Sequence, residues 1–318
     1  MQTNNLDAAK KQLLKNELIA IPTETVYGLA GNAYNETALK KIFILKNRPF
    51  YNPLIVHIKS SAALKEVAMD IPEEALKLAE KFWPGPLTLV LKKQPNIPDL
   101  LTAGKETVAV RVPNHPLTLN LLEKLDFPLA APSANPYGSI SPTSAAHVLD
   151  YFGDQLKVIL DGGECENGLE STIIGFENNQ PILYRHGSIA QDEIEKIVGK
   201  LTIITKNNES PNSPGMSSRH YAPKTSTYLT NNVLALLNSF KGKKIGVLMF
   251  TNQIQHQDVT HQEILSESGD LIEAGRNLYA AMHRLDHRNL DLILAERLPD
   301  QGIGIAINDK LERATKKK

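Results

Sequence analysis

Four short segments in the first half of the chain bring together residue types that bind phosphate and carboxylate groups. Pro22-Thr23-Glu24-Thr25-Val26-Tyr27-Gly28-Leu29 follows an apolar run directly. Polar groups leaving a strand end are placed to line a cleft, because α/β folds gather ligands beyond the carboxyl ends of their strands. The plainer reading is a polar turn. Lys46-Asn47-Arg48-Pro49 closes a helical pattern and leads through Asn52-Pro53 into a strand that contains His57. Two cations there either complement the helix dipole or aim at phosphate, for which arginine has a forked pair of donors that lysine lacks. Thr107-Val108-Ala109-Val110-Arg111-Val112-Pro113 alternates, so Thr107, Ala109 and Arg111 share one strand face and Val108 and Val110 the other. An arginine on such a face is a surface residue, or, if the face meets a cleft, a clamp for a carboxylate. Ala130-Ala131-Pro132-Ser133-Ala134-Asn135 runs from a strand into a turn, and Ser141 opens the next helix. Serine and asparagine are ordinary turn residues, while small residues also let backbone amides approach a phosphate. Together the four segments describe a cleft with three cations, several hydroxyls and neither a covalent nucleophile nor a metal cage.

Other chemistries lack their signatures. There is no G-x-x-x-x-G-K-[ST] loop, no H-E-x-x-H, and Gly302-Ile303-Gly304 lacks the third glycine of a dinucleotide fingerprint and reads as the lead into the last helix. His283 and His287 lie one helical turn apart, but with no third ligand nearby a solvated helix face is the better reading than a metal site. Cys165 is the single cysteine, which excludes an intramolecular disulfide and a cysteine-rich zinc site. Lys plus Arg and Asp plus Glu are equal at 35 each, so no global field draws the chain onto nucleic acid. The local excess of Lys310, Arg313, Lys316, Lys317 and Lys318 reads as a frayed, solvated end, and only secondarily as a weak contact for RNA phosphates. The polar amino end lacks the apolar run of a signal peptide, and no stretch has the length of a membrane span. A cytoplasmic protein is the expectation, with no membrane partner.

The elements that must hold these residues follow an α/β grammar through about residue 200. Strands are predicted over Leu18–Pro22, Leu54–Ile58, Leu87–Lys92, Thr107–Val112, Pro128–Ala131, Val158–Asp161, Thr172–Phe176 and Pro181–Tyr184. Asn35 caps a helix whose Leu39, Ile42 and Phe43 share a face, Pro72 takes a first helical position, and Gly199 ends the helix from Ala190. Residues 206–226, KNNESPNSPGMSSRHYAPKTS, are polar and proline-bearing, and about twenty extended residues reach about 65 Å. His220 and Tyr221 are unusual in a pure spacer and favour a lid. Beyond it, Lys243–Phe250 and Leu290–Ala295 read as buried strands flanking a helix over Ser268–Arg284. The expected organisation is thus a catalytic α/β domain over 1–205, a linker or lid over 206–226, and a smaller Rossmann-like α/β domain over 227–318.

At these residues the sequence resembles the YrdC-like threonylcarbamoyl-AMP synthases, in their long, two-domain Sua-type form. The motifs that carry the resemblance are Pro22–Leu29, the K-x-R of Lys46 and Arg48 with the S-x-N of Ser133 and Asn135, and Ser213-Pro214-Gly215-Met216 before His220-Tyr221-Ala222-Pro223. It covers about the first two hundred residues and the linker closely, and rests on architecture beyond Tyr221. The resemblance implies a YrdC-like twisted mixed sheet with flanking helices. It also implies synthesis of threonylcarbamoyl-AMP from L-threonine, bicarbonate and ATP with release of pyrophosphate. The product would feed a separate transferase complex that modifies the transfer-RNA adenosine beside the anticodon.

Carried over by position, the threonine pocket would comprise Thr25, His57, Arg111, Ala131 and Ser171. The nucleotide would meet Arg48, Asn52, Thr107, Ser133, Ser141, Arg185 and Tyr221, with Lys46, Arg48, Ser133 and Asn135 as the catalytic constellation. Magnesium would arrive with the triphosphate and need no dedicated protein ligands. The chain departs from the family's pattern at His186, where proline commonly follows the arginine, and in the less basic Ser217-Ser218 of the linker. Two other classes compete. An RNA-binding module is disfavoured by twenty Lys/Arg against twenty-three Asp/Glu through residue 200. A carbamoyl-phosphate-using maturation domain would bring zinc-finger segments that a single-cysteine chain lacks.

Overall fold

Short runs rich in Val, Ile and Leu pair into two sheets in the computed structural model, which describes residues 2–205 and 219–316. The first sheet contains β1 (Gln2–Thr3), β2 (Ile19–Ile21), β3 (Gly28–Asn32), β4 (Ile55–His57), β5 (Leu87–Lys92), β6 (Thr107–Arg111), β7 (Leu129–Ala130), β8 (Ile159–Leu160), β9 (Thr172–Glu177), β10 (Gln180–Arg185) and β11 (Thr202–Ile203). Their spatial order is β1-β8-β2-β3-β7-β4-β6-β5-β9-β10-β11, with parallel and antiparallel neighbours mixed. The second sheet is β12 (Ser226–Thr230), β13 (Ile245–Met249), β14 (Val259–Ile264) and β15 (Leu292–Glu296), ordered β12-β15-β13-β14 and parallel throughout. A large mixed sheet with flanking helices and a smaller parallel, Rossmann-like unit is the fold class that the sequence implies.

Local chemistry explains most element ends. The Asn35 side chain accepts from the Ala38 amide to open the helix Glu36–Lys46, and Asn47 closes it in the left-handed conformation at φ 52°. Leu39, Ile42 and Phe43 are buried on its inner face. One expectation shifts, and two strands carry no local sequence signal. Pro72 is extended and caps the helix Glu73–Phe82 from outside instead of occupying its first turn. β3 was hidden because Gly28-Leu29-Ala30-Gly31-Asn32 has no β-branched residue, yet it pairs with both β2 and β7. β14 was hidden because its half-exposed, polar edge lacks an apolar run. Most of the expected linker, including Ser213–Met216, lies outside the described residues, and β12 already begins at Ser226.

The first sheet's core packs Leu29, Val56, Leu89, Val108 and Val110 under the helices. A separate apolar cluster joins the two sheets: Val26, Ile140 and Leu169 from the first unit meet Tyr221, Leu278, Tyr279 and Ile307. This interface corrects two readings. Lys310 and Arg313 are not a frayed end. They sit in the helix Ile303–Ala314 at 0% and 4% exposure, with Lys310 Nζ donating to the His186 carbonyl and Arg313 donating to Asp309 and the Thr205 carbonyl. His283 is not on a solvated face: it stacks on His147 at 3.9 Å and donates to the Ser141 carbonyl at 3.2 Å, whereas His287 is exposed. No helix among the described residues is long and apolar enough to cross a membrane.

Burial, then the neighbouring His147, holds the His283 imidazole down to about 3, so it is neutral in the fold. Unfolded, it takes a proton near the ordinary 6.5. Stability is therefore full above that value and is lost as pH falls through the window towards 3, by about 2 kcal/mol at pH 5. The urea midpoint is expected to fall between pH 7.5 and 5, and to fall less in His283→Gln; a midpoint independent of pH over that range would contradict the assignment.

Candidate active site

The parallel register of β4 and β6 pairs Val56 with Val110 and sets His57 beside Arg111. Val108 and Val110 point into the core, so Arg111 emerges on the opposite face at the strand's carboxyl end, 4% exposed. Its Nε donates to the Gly85 carbonyl at 3.2 Å and its Nη1 to Thr25 Oγ1 at 2.9 Å. Its Nη2 forms a buried ion pair with Glu24 Oε2 at 2.5 Å, and Glu24 Oε1 has no hydrogen-bond partner among the described residues. Glu24 is itself placed by the Asn114 amide, which donates to Oε2 at 3.0 Å. Thr23 folds the strand end back: its hydroxyl donates to the Val26 carbonyl at 2.7 Å and lies 2.9 Å from Thr25 Oγ1.

A second group forms where the helix Glu36–Lys46 ends. Arg48 Nε donates to the Asn52 carbonyl, and its Nη2 to Asn52 Oδ1 at 2.6 Å and the Pro53 carbonyl at 2.7 Å. Lys46, 1% exposed, turns away from the cleft and donates to the carbonyls of Ser133, at 2.5 Å, and Asn135. Asn135 in turn donates through Nδ2 to the carbonyls of Pro136 and Ser139. The loop bearing Ser133 is therefore pinned from two sides. It approaches β3 closely, for a Cβ at Gly28 would stand 3.2 Å from that of Ala131.

The third group comes from β9 and β10. Arg185 donates from Nε to the Ser171 carbonyl at 3.0 Å and from Nη2 to Ser171 Oγ at 2.9 Å. Glu170, 6% exposed, accepts from Ser141 Oγ at 2.6 Å and from the Tyr279 hydroxyl at 2.7 Å.

These groups enclose a cleft of about 560 Å³ including its open mouth, lined by Thr25, Arg48, His57, Arg111, Ser133 and Arg185 among others. Ala131, Ser171, Glu170 and His220 complete the wall. Of the remaining expected residues, Lys46, Asn52, Asn135 and Ser141 form the layer behind it. Tyr221 is fully buried, at φ 61°, with its ring stacked on Tyr279 at 5.6 Å and Lys310 Nζ 5.5 Å from the ring centre. Thr107 stands apart: it opens β6, four residues and about 13 Å from Arg111, and does not line the cleft. Sequence reading passed over Glu170, whose only signal is an acid immediately before Ser171. Among the described residues no group of three or more His, Cys, Asp or Glu is placed to hold a metal.

Buried cations and neutral imidazoles dominate the electrostatics of the cleft. Burial, and then Arg48, pushes the Lys46 amine well below its ordinary range. Burial, opposed by Tyr137 and reinforced by Arg185, lowers the Arg48 guanidinium to about 10, still charged at neutral pH. His57 is held at about 3 by burial and then Arg111, and His220 well below its ordinary value by burial, Arg48 and Lys46. Both imidazoles are neutral, and each keeps a buried Nδ1 without a partner. Crowded cations and neutralised histidines are the signature of a pocket that an incoming polyanion would relieve.

Comparison with known proteins agrees along the whole chain. Residues 11–187 match the Sua5, YciO and YrdC family model, described under telomere recombination, and residues 189–315 match the C-terminal domain model of threonylcarbamoyl-AMP synthase. The threonylcarbamoyl-AMP synthase of Pyrococcus abyssi is 42% identical over 315 residues, 95% of this chain and 91% of the relative. That of Bacillus subtilis is 38% identical over 99% of this chain and 94% of the relative. The crystal structure of P. abyssi Sua5 complexed with L-threonine superposes with a TM-score of 0.90 at 40% identity, covering 98% of this chain and 94% of that one.

Proposed function

The chain belongs to the Sua5–YrdC family of threonylcarbamoyl-AMP synthases, and on that premise we propose that it joins L-threonine, bicarbonate and ATP into threonylcarbamoyl-AMP. The observation that supports this reading is one cleft lined by Arg111 with Thr25 and His57 and also by Arg48 and Arg185, which we read as a carboxylate-binding end and a phosphate-binding end. At the first end Arg111 holds the threonine carboxylate, flanked by Thr25, His57, Ala131 and Ser171. At the second, Arg48, Ser133 and Arg185 take the triphosphate, with Asn52, Ser141 and Tyr221 behind them. Thr107 is left for the nucleotide's far end, along the face it shares with Arg111. Magnesium enters as the magnesium–ATP substrate, coordinated by phosphate oxygens.

Bicarbonate takes up a proton and gives carbon dioxide and water. The threonine ammonium sheds one proton, and its nitrogen bonds to the carbon of carbon dioxide and loses a second, leaving a carbamate anion. An oxygen of the resulting carbamate attacks the α-phosphorus as the bond to the bridging oxygen breaks and pyrophosphate departs. No enzyme-bound covalent intermediate is needed. Both reactants are small and the product is labile, so positioning, charge stabilisation and exclusion of water supply most of the rate. The product passes in the cytoplasm to a transferase complex acting on the adenosine beside the anticodon.

Pyrophosphate release from ATP is expected to require threonine and bicarbonate together, and to fall to background when either is omitted. Release that ignores threonine would send the assignment to another amine substrate.

A further inference from the structure

The acidic wall of the cleft is held in part from the second unit. Glu170 is the anionic side chain that lines the cavity among the described residues, and its two oxygens are held by different units. Ser141 Oγ donates to Oε1 at 2.6 Å from the first, and Tyr279 donates to Oε2 at 2.7 Å from the second. Tyr279 is fully buried in the helix Leu271–Asp286. Burial, and then Glu170, raises its hydroxyl well above the ordinary value, so it stays a donor. The helix sits directly on the segment: a Cβ at Gly275 would stand 3.0 Å from Leu169 Cδ1, and Arg276 Nε donates to the Glu166 carbonyl at 2.8 Å. The neighbours of Glu170 lead to the nucleotide end of the cleft by two routes, through Ser141 on one side and through Ser171, bonded to Arg185, on the other.

We propose that Tyr279 is a positioning residue for the nucleotide end of the cleft, acting through the Glu170 carboxylate that orients Ser141. The second unit thus completes the active site without touching substrate. A hydroxyl–carboxylate bond between buried groups fixes direction as well as distance. Without it, Glu170 Oε2 has no partner and the Ser141 hydroxyl follows a carboxylate free to rotate. The assignment of Ser141 to the nucleotide rests on the function proposed above.

Tyr279→Phe keeps the ring and its stack on Tyr221 and removes the hydroxyl alone. The expected result is a rise of about tenfold in KM for ATP, with KM for threonine changed less than twofold, and an equal weakening of a non-hydrolysable ATP analogue measured calorimetrically. In the Glu170→Gln background the same substitution should add nothing, because the group it acts through is already altered. Additive losses, or a lower melting temperature with an unchanged ATP requirement, would overturn the proposal and leave Tyr279 as domain glue. If Tyr279→Phe does not fold, Glu170→Gln alone must show the ATP-selective loss, and a normal ATP requirement there is equally fatal. The analogue-binding arm decides this coupling even if wild-type enzyme shows no threonine-dependent pyrophosphate release, a result that would instead count against the proposed reaction.

Discussion

Replacing Arg111 by alanine is expected to raise the threonine requirement about 10- to 100-fold while moving the ATP requirement less than twofold. The size follows from losing a charge-assisted bond to a carboxylate, about 1.5–3 kcal/mol, at about 1.4 kcal/mol per factor of ten. The substitution has a second consequence that must be separated from the first. Arg111 also faces Glu24, and the two side chains are 4% and 3% exposed. Removing one partner strands a buried carboxylate, which costs about 3–5 kcal/mol of stability. That is a large part of the roughly 5–15 kcal/mol that keeps a domain folded. Arg111→Ala will therefore melt earlier as well as bind threonine poorly. Glu24→Gln introduced into the same variant removes the stranded charge. The double variant should regain most of the lost melting temperature and none of the threonine affinity. If threonine affinity returns together with stability, or if both substrates weaken alike, Arg111 is a structural ion-pair partner and not the carboxylate clamp.

Arg111 shows how far the sequence can be read. Period-two alternation over 107–111 places it opposite Val108 and Val110, and strand geometry needs nothing from elsewhere in the chain. The helix stop at Lys46 is legible on the same terms, from the run Lys46-Asn47-Arg48-Pro49 that closes the apolar pattern, and the structure adds Asn47 in the left-handed conformation. What stays hidden depends on partners far along the chain. Glu170 meets Tyr279 from 109 positions away, so no local pattern around Glu170 marks it. Lys310 and Arg313 have the composition of a solvated tail, but the carbonyls of His186 and Thr205 and the Asp309 carboxylate satisfy them inside. Charge counts predict solvent only while such acceptors are missing. β3 escapes a local reading for the converse reason: its small residues have weak strand propensity and pair because β2 and β7 supply ladders on both sides. Lys46 belongs with the hidden group. A lysine at a helix end beside an arginine reads as half of a phosphate clamp, and the carbonyls it serves lie 87 and 89 positions later.

That difference separates two outcomes for Lys46→Met. If the ammonium reaches phosphate, its loss weakens ATP and spares threonine. In the folded chain, however, its bonds go to the loop: the carbonyls of Ser133 and Asn135, with Asn135 Oδ1 at 3.5 Å. Methionine fills the space of the side chain but leaves two carbonyls without donors, each at about 1–3 kcal/mol. The loop then loses the anchor that sets Ala131 and Ser133, which line the proposed threonine and nucleotide ends, together. The expected result is a fall of about 100-fold or more in kcat/KM for both substrates in parallel, with a lower melting temperature. Asn135→Ala removes the side chain that ties the loop to Pro136 and Ser139, so it should produce a weaker version of the same parallel loss. An ATP-selective defect in Lys46→Met would show that the lysine swings out of its carbonyl cage to meet phosphate during turnover. A parallel defect in both variants would make it the fixed post on which the two halves of the cleft are hung.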